Sequence, residues 1–281
     1  MKTLRQLLTE YRDKGKALPA FNIDSFEIYQ AVEESVRETG LPCIVQLSAG
    51  EDKFIHAERL FVLVKKAQSD ALPIYLNMDH ASDEIRLEKL ISLGFDMVHF
   101  DGSNLDYFTN LETSQKFIRI LKDHYPNTLF EVEFNHINLI GSQVSKDSLT
   151  DPSQAYEFMT KTSADLLAVS IGNLHGISVK FPETLDLNLL AKIRNKLPEN
   201  HFLTLHSGCC INPDQVTQAI KLGVVKININ TELRNSFNQS ISKIYSGEVS
   251  QKIYENFSPA INELKNIIKS KLIIFSTSKY A

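Results

Sequence analysis

The chain has 281 residues, of which 43% are hydrophobic, and a formal net charge of −4 with no long block of one sign. This balance excludes the basic footprint of a nucleic-acid-binding protein, and no stretch approaches the roughly 20 apolar residues that cross a bilayer. The charged N-terminus lacks the apolar core of a signal peptide. Three cysteines without the spacing of a disulfide framework predict reduced thiols and a cytoplasmic location.

Short apolar runs alternate with longer amphipathic segments along the chain. Eight runs predict strands, at residues 18–23, 43–48, 73–79, 97–101, 129–134, 166–171, 202–207 and 224–230. Eight strand–helix units predict an α/β fold with a single domain, 1–281, formed by a (β/α)8 or TIM barrel. We expect the barrel core at about 18–245, followed by a C-terminal helical extension. An open parallel sheet also satisfies the alternation.

The segment after the first strand, residues 25–40, has the clearest helical period. Phe26, Tyr29, Val32 and Val36 fall on one face, which predicts that this face packs on the barrel. Gly40 comes directly before the second strand and is expected to end the helix.

Polar residues gather where the predicted strands end. Those at or near a strand end are Asn22, Ser48, Asp79, His80, Asp101, Glu133, His206, Asn228 and Asn230. His175 follows the sixth strand after a short loop. Because the active sites of TIM barrels lie at the C-terminal ends of their strands, we expect these residues to share one pocket.

Three histidines of this set predict a metal site. His80, His175 and His206 lie at or after the ends of the third, sixth and seventh strands, and catalytic zinc typically takes three protein ligands and leaves one position open. Asp79 is adjacent, and its carboxylate is expected to move protons beside the metal. The alternative is a helix cap or a carboxylate that orients a ligand. His99, inside the fourth strand, is expected only to pack.

Two further groups of polar residues belong to this end of the barrel. Asp101 and Glu133 are possible alternative metal ligands, or partners of a ligand histidine. After strands seven and eight, Gly208 permits close backbone approach, and Asn230 or Thr231 is expected to cap the next helix. These turns predict a phosphate site or, equally, ordinary turns with a helix cap.

Taken in order, the segments resemble the class II, zinc-dependent ketose-bisphosphate aldolases of the fructose- and tagatose-bisphosphate type. The resemblance extends from Pro19 to Leu233. The motifs that carry it are DHA at 79–81, DGS at 101–103, EVE at 131–133, GNLHG at 172–176 and HSGCC at 206–210. They are similar to the family's DHG, DGS, EAE, GTAHG and HGGSG.

The resemblance implies an aldolase of carbohydrate metabolism and glycolysis. His80, His175 and His206 would hold one Zn²⁺ ion per chain, which stabilises the enediolate of dihydroxyacetone phosphate, and Asp79 would carry the proton. The expected substrate and phosphate residues are Asn22, Ser48, Gly176, Ser207, Gly208, Cys209, Asn228, Asn230 and Thr231. The family also implies a homodimer or homotetramer and a phosphorylated sugar as ligand, and leaves room for a monovalent cation near the phosphate. No nucleic-acid or membrane partner is expected.

The chain departs from the family at three places. Ala81 replaces the glycine of DHG, and Ser207 and Cys209 replace the glycine and the serine of the phosphate turn. Val144 and Ser145 stand where the family has an acidic pair. Two alternatives therefore remain: a divergent aldolase or lyase acting on another sugar phosphate or sugar acid, and a catalytically weak homologue with a binding or regulatory role.

Overall fold

The eight predicted strands form a closed parallel barrel in chain order, which confirms the (β/α)8 prediction. The computed structural model describes residues 1–135, 137, 148–174, 176, 184–207 and 211–277. The strands are β1 Leu18–Asn22, β2 Cys43–Leu47, β3 Ile74–Ala81, β4 Met97–Asp101, β5 Leu129–Glu133, β6 Leu166–Val169, β7 Phe202–Leu205 and β8 Val224–Ile229.

Helices surround the barrel. The described helices are α1 Leu4–Asp13, α2 Phe26–Thr39, α3 Ala49–Ile55, α4 Ala57–Ser69, α5 Glu84–Leu93, α6 Tyr107–Lys122, α7 Pro152–Thr162, α8 Leu187–Lys196, α9 Pro213–Lys221, α10 Thr231–Tyr245 and α11 Ile253–Ser276. None of the described helices is long and apolar enough to cross a membrane.

Helix α2 follows its predicted pattern with one exception. The Ser25 side chain accepts a hydrogen bond from the backbone at the start of the helix, and Gly40 ends it with φ 68°. Tyr29, Val32 and Val36 are buried, whereas Phe26 is 57% exposed. The prediction for Phe26 was wrong because it is the first residue of the helix, at the rim of the barrel, where the packed face has not yet begun.

The interior of the barrel is divided into an apolar and a polar layer. Because side chains alternate along a strand, positions two residues apart point the same way. The apolar layer consists of Leu18, Ala20, Ile44, Tyr75, Met97, Leu129, Leu166, Phe202 and Val225, packed against buried residues of α1. Toward the C-terminal ends of the strands lies the polar layer, whose buried members are Asn22, Gln46, Asn77, Asp79, His99, Glu131, Glu133, Thr204, His206, Lys226 and Asn228.

Two irregularities in strand pairing increase the number of polar side chains at this end. Met78 pairs with Val98 but Ala81 pairs with Phe100, so between these two pairs β3 contains one residue more than β4. A similar shift lies between β7 and β8, after Leu203. Such β-bulges locally redirect side chains.

Candidate active site

One cavity at the C-terminal ends of the strands collects the described candidate residues. Its volume is about 380 Å³, within the usual range for a small-molecule site. The lining residues are Asn22, Ser48, Asp79, His80, Gly176, His206, Ser207, Asn228, Asn230, Thr231 and Arg234. Of the other sequence candidates, Asp101 and Glu133 lie beside His80. His175, Gly208 and Cys209, like Val144 and Ser145, lie outside the described residues.

Two of the three predicted metal-binding histidines face each other. His80 Nε2 and His206 Nδ1 are 2.8 Å apart. Each histidine uses its other ring nitrogen for a carboxylate: His80 Nδ1 is 2.7 Å from Asp101 Oδ2, and His206 Nε2 is 2.7 Å from Glu131 Oε1. When both rings are neutral, donation to these carboxylates leaves the two facing nitrogens with lone pairs directed at the same space.

The carboxylate behind His206 is itself fixed by a buried lysine. Lys226 Nζ donates to Glu131 Oε2 at 2.9 Å, and all three side chains are fully buried. The bulge in β8 brings Lys226 into register with Thr204 of β7. His206, Glu131 and Lys226 therefore form a continuous chain of contacts that fixes the orientation of the imidazole.

Asp79 lies beside the two facing nitrogens and is 3% exposed. Gln46 Nε2 donates to its Oδ2 at 3.0 Å, and Asn228 Nδ2 lies 3.3 Å from both carboxylate oxygens. Burial raises the pKa of Asp79, but the charges of His80 and Lys226 outweigh burial and leave that pKa well below its ordinary value. The side chain is therefore an ionised carboxylate at neutral pH.

Three neighbouring ionisable side chains also have shifted pKa values. Burial lowers the pKa of His80, but Asp79 and the hydrogen bond to Asp101 outweigh burial and raise it to about 10. Burial, aided by the charge of His80, lowers the pKa of His206 to about 3. Without a metal, a proton carried by His80 thus lies between the facing nitrogens. Burial raises the pKa of Glu133 to about 7.

His99 does more than pack. It is fully buried, and with Asp79, His80 and His206 it offers ligand atoms that all lie within 4.8 Å of one another. Its Nε2 lies 3.8 Å from Glu133 Oε2, and neither atom has a hydrogen-bond partner among the described residues. The expectation of a merely packed histidine was therefore incomplete.

The outer end of the cavity carries a charged group that the sequence did not reveal. Arg234, from α10, contacts Glu51 Oε1 at 2.5 Å and Asp24 Oδ2 at 2.5 Å. Asn230 occupies the N-cap position of α10 but makes no side-chain cap; its Nδ2 donates instead to Glu51 Oε1 at 3.2 Å. Asn230 therefore lies at the predicted N-cap position, but its side chain contacts Glu51 instead of the helix backbone.

The backbone of Ser207, shortly after β7, has the conformation that glycine favours. Ser207, which stands where the resemblance has a glycine, has φ 69°. An L-residue adopts this left-handed conformation at a cost of about 1–2 kcal/mol. Serine at position 207 can therefore adopt this backbone conformation, but with more steric strain than glycine.

Several buried polar residues were missed by looking only at strand ends. Gln46, Asn77, His99, Glu131 and Lys226 all lie deeper in the barrel. Each precedes a named candidate by two residues, and positions two apart in a strand share a face. The alternation rule, applied one step further back along each strand, could have found them.

The donor set fits a divalent cation. Two imidazole nitrogens face the same space, each backed by a carboxylate that fixes its tautomer, as is usual around zinc. Nitrogen donors of this kind suit zinc better than magnesium or calcium, which prefer oxygen. His80 and His206 would hold such an ion through these nitrogens, and binding would require His80 to lose its proton.

Comparison with protein families gives a match over nearly the whole chain. Residues 2–279 match the family "Fructose-bisphosphate aldolase class-II". A fructose-bisphosphate aldolase of Streptococcus pneumoniae is 32% identical over 240 residues, covering 83% of this chain and 79% of that protein. One of Thermus caldophilus is 28% identical over 299 residues, covering 97% of each.

Solved structures share the fold. The YdjI aldolase of Escherichia coli K12 superposes with a TM-score of 0.83 at 24% identity, covering 99% of this chain and 98% of that one. A fructose-bisphosphate aldolase of Campylobacter jejuni gives a TM-score of 0.76 at 18% identity, with 96% and 91% covered. With the family match over residues 2–279, the chain belongs to the class II fructose-bisphosphate aldolases and is a carbon–carbon lyase.

Proposed function

We propose that this chain reversibly cleaves a phosphorylated ketose of the fructose or tagatose 1,6-bisphosphate type, releasing dihydroxyacetone phosphate and an aldehyde. One observation carries the proposal: His80 Nε2 and His206 Nδ1 face each other at 2.8 Å in the cavity that the Asp79 carboxylate also lines. This arrangement supports a metal site and a proton carrier that act on the same bound ligand.

The residues that would hold zinc are His80, His206 and, from the family resemblance, His175. Asp101 is proposed to orient His80 through its Nδ1, and Glu133 is an alternative ligand. When bound, zinc supplies a Lewis acid that polarises the substrate carbonyl and stabilises the negative charge left by bond cleavage.

Asp79 is the proposed proton carrier. Its low pKa keeps it ionised, while Gln46 and Asn228 fix the orientation of its carboxylate. During cleavage it takes the proton of the C4 hydroxyl as the C3–C4 bond breaks and the C4 oxygen becomes the aldehyde oxygen. In the condensation direction it returns that proton.

The remaining cavity residues are proposed to bind the substrate. Gly176, Ser207, Gly208, Cys209, Asn228, Asn230 and Thr231 form the proposed phosphate site, with a monovalent cation nearby. Asn22 and Ser48 line the same cavity and are proposed to contact the substrate. We further propose a homodimer or homotetramer that works in glycolysis in the cytoplasm, as the family resemblance suggests.

A second candidate, cleavage of another sugar phosphate, is favoured by the state of Arg234. Arg234 is the one lysine or arginine among the described residues lining the cavity, and it is already paired with Asp24 and Glu51. A second phosphate would have to compete with two carboxylates for this guanidinium. A substrate with an uncharged hydroxylated end avoids that competition.

The experiment is to load the protein with zinc and measure release of dihydroxyacetone phosphate from fructose and tagatose 1,6-bisphosphate. Ketose 1-phosphates are assayed in parallel. Cleavage of a bisphosphate supports the first candidate, and cleavage of monophosphates alone supports the second. Zinc binding with no cleavage of any ketose phosphate contradicts both.

Asp79→Asn tests the proton carrier. It removes the base while preserving the shape of the side chain, so we expect zinc to remain bound and cleavage to fall by at least about 100-fold. Asp106→Asn is the matched control, because Asp106 caps α6 away from the cavity and asparagine caps equally well. Loss of zinc in the Asp79 variant would contradict the assigned role.

A further inference from the structure

The neighbouring residues Asp79 and His80 both line the cavity. In a regular strand, adjacent side chains point to opposite faces. The pairing of β3 with β4 shows how the rule is broken: one extra residue lies on β3 between Met78 and Ala81. The bulge thus gives one strand two inward functional side chains.

This bulge requires an unusual backbone at His80. Its φ is 47°, in the left-handed region that a non-glycine residue enters only against steric resistance. The bulge also removes the N–H of His80 from the regular ladder between β3 and β4. A buried amide that loses its ladder partner needs another acceptor.

His99 supplies that acceptor. Its Nδ1 accepts the backbone N–H of His80 at 3.2 Å. Asp79 Oδ1 lies 3.6 Å from the same nitrogen, beyond hydrogen-bond distance. Acceptance at Nδ1 leaves the proton of a neutral imidazole on Nε2, the nitrogen that faces Glu133.

The packing around the ring holds this contact in place. The centroid of the His99 ring lies 4.7 Å from that of His80 and 5.1 Å from that of His206. The side chain is fully buried, and β4 is the strand directly beside β3. His99 therefore contacts both the backbone and the ring of the proposed ligand.

From these contacts we infer that His99 is a positioning residue: it holds the β3 bulge and thereby aims His80 and Asp79 into the same cavity. It acts through His80 and does not touch the substrate. Because its effect is measured through the metal, the role rests on the proposed zinc site.

Two substitutions separate the hydrogen bond from the bulk of the ring. In His99→Asn, the amide oxygen occupies the place of Nδ1 and can accept the N–H of His80. His99→Leu has similar branching but no acceptor. Phe100→Leu is the matched control, because Phe100 is the next residue of β4 and stacks on Phe117 at 5.3 Å, outside the barrel.

The readouts are the zinc dissociation constant, from competition with a chromophoric chelator, and the visible spectrum of the cobalt-substituted protein. We expect His99→Leu to bind zinc about 10- to 100-fold more weakly and to change the cobalt spectrum. His99→Asn should remain within about threefold of the wild type with the same spectrum. Phe100→Leu should lower thermal stability and leave both metal readouts unchanged.

The outcomes distinguish this role from the zinc site itself. Failure of the wild type to bind zinc contradicts the proposed function. A wild type that binds zinc, with His99→Leu equal to it, overturns the positioning role. Equal weakening in the leucine and asparagine variants also overturns it, since the ring rather than the Nδ1 acceptor would then be responsible.

Discussion

The apolar and polar layers inside the barrel belong to the same strands but are stabilised in different ways. In the apolar layer, residues such as Leu129 and Phe202 contact one another and the helix α1. Two residues further along the same strands stand Glu131 and Thr204, in a layer of amides, carboxylates and imidazoles. The first layer gains stability from burial alone, whereas the second is tolerable only where each charge has a partner.

The largest expected effect comes from removing one partner in the polar layer. Lys226→Met leaves Glu131 buried without its cation, and we expect the free energy of unfolding to fall by about 4 kcal/mol. Urea unfolding of the metal-free protein measures it. Adding Glu131→Gln should recover most of this stability, yet zinc binding should stay weak because His206 loses its carboxylate. If Lys226→Met unfolds with the same free energy as the wild type, charges in the polar layer do not need their partners.

The matched change in the apolar layer is Leu129→Ala, two residues before Glu131 on β5. A cavity in this layer should lower the free energy of unfolding by about 3 kcal/mol. Zinc affinity and the rate of cleavage at saturating substrate should not change, because Leu129 packs in the apolar layer only. Weaker zinc binding in this variant would show that the two layers are mechanically coupled.

A third test uses the proton on His80. Since its pKa is raised to about 10, zinc must displace a proton below that pH, and its affinity should rise about tenfold per pH unit, or about 1.4 kcal/mol, between pH 7 and 10. In the metal-free protein, the free energy of unfolding changes with pH in the opposite direction. The protonated His80 stabilises the fold fully below about pH 6.5, and this contribution is lost as the pH rises through about 10.

Calorimetric titration with zinc at pH 8, in two buffers with different ionisation enthalpies, counts the released protons. We expect about one per zinc ion. His201→Asn is the control, because burial lowers the pKa of His201 and its Nδ1 contacts the Ala164 carbonyl at 2.9 Å, away from the cavity. No proton release in the wild type would contradict the raised pKa of His80.

The smallest effect concerns the strained turn. Ser207→Gly removes the steric strain of the left-handed backbone but raises the conformational entropy of the unfolded chain. We therefore expect a net gain of about 0.5 kcal/mol in the free energy of unfolding. Ser163→Gly is the control, with φ 58° at the end of α7. Both variants should be stabilised alike, and only Ser207→Gly should change the affinity for inorganic phosphate, measured by competition with substrate.

The fold was predictable because strand alternation and helical periodicity repeat along the chain. The polar layer was only partly predictable. Asp79 and His80 follow from their place at a strand end, but a regular strand would separate their side chains, and no sequence pattern located the bulge that His99 supports. The spacing of two residues from Asn228 could have placed Lys226 inside the barrel, but its contact with Glu131 depends on the bulge in β8.

Helix α1 closes one end of the barrel and so limits the routes by which a metal ion and a substrate could leave. Leu4, Leu7, Leu8 and Tyr11 seal the apolar end of the barrel. Among the described residues, the polar layer is then open only through the cavity that would hold the substrate. Metal and substrate would share one exit, so a bound substrate analogue should slow the removal of zinc by a chelator.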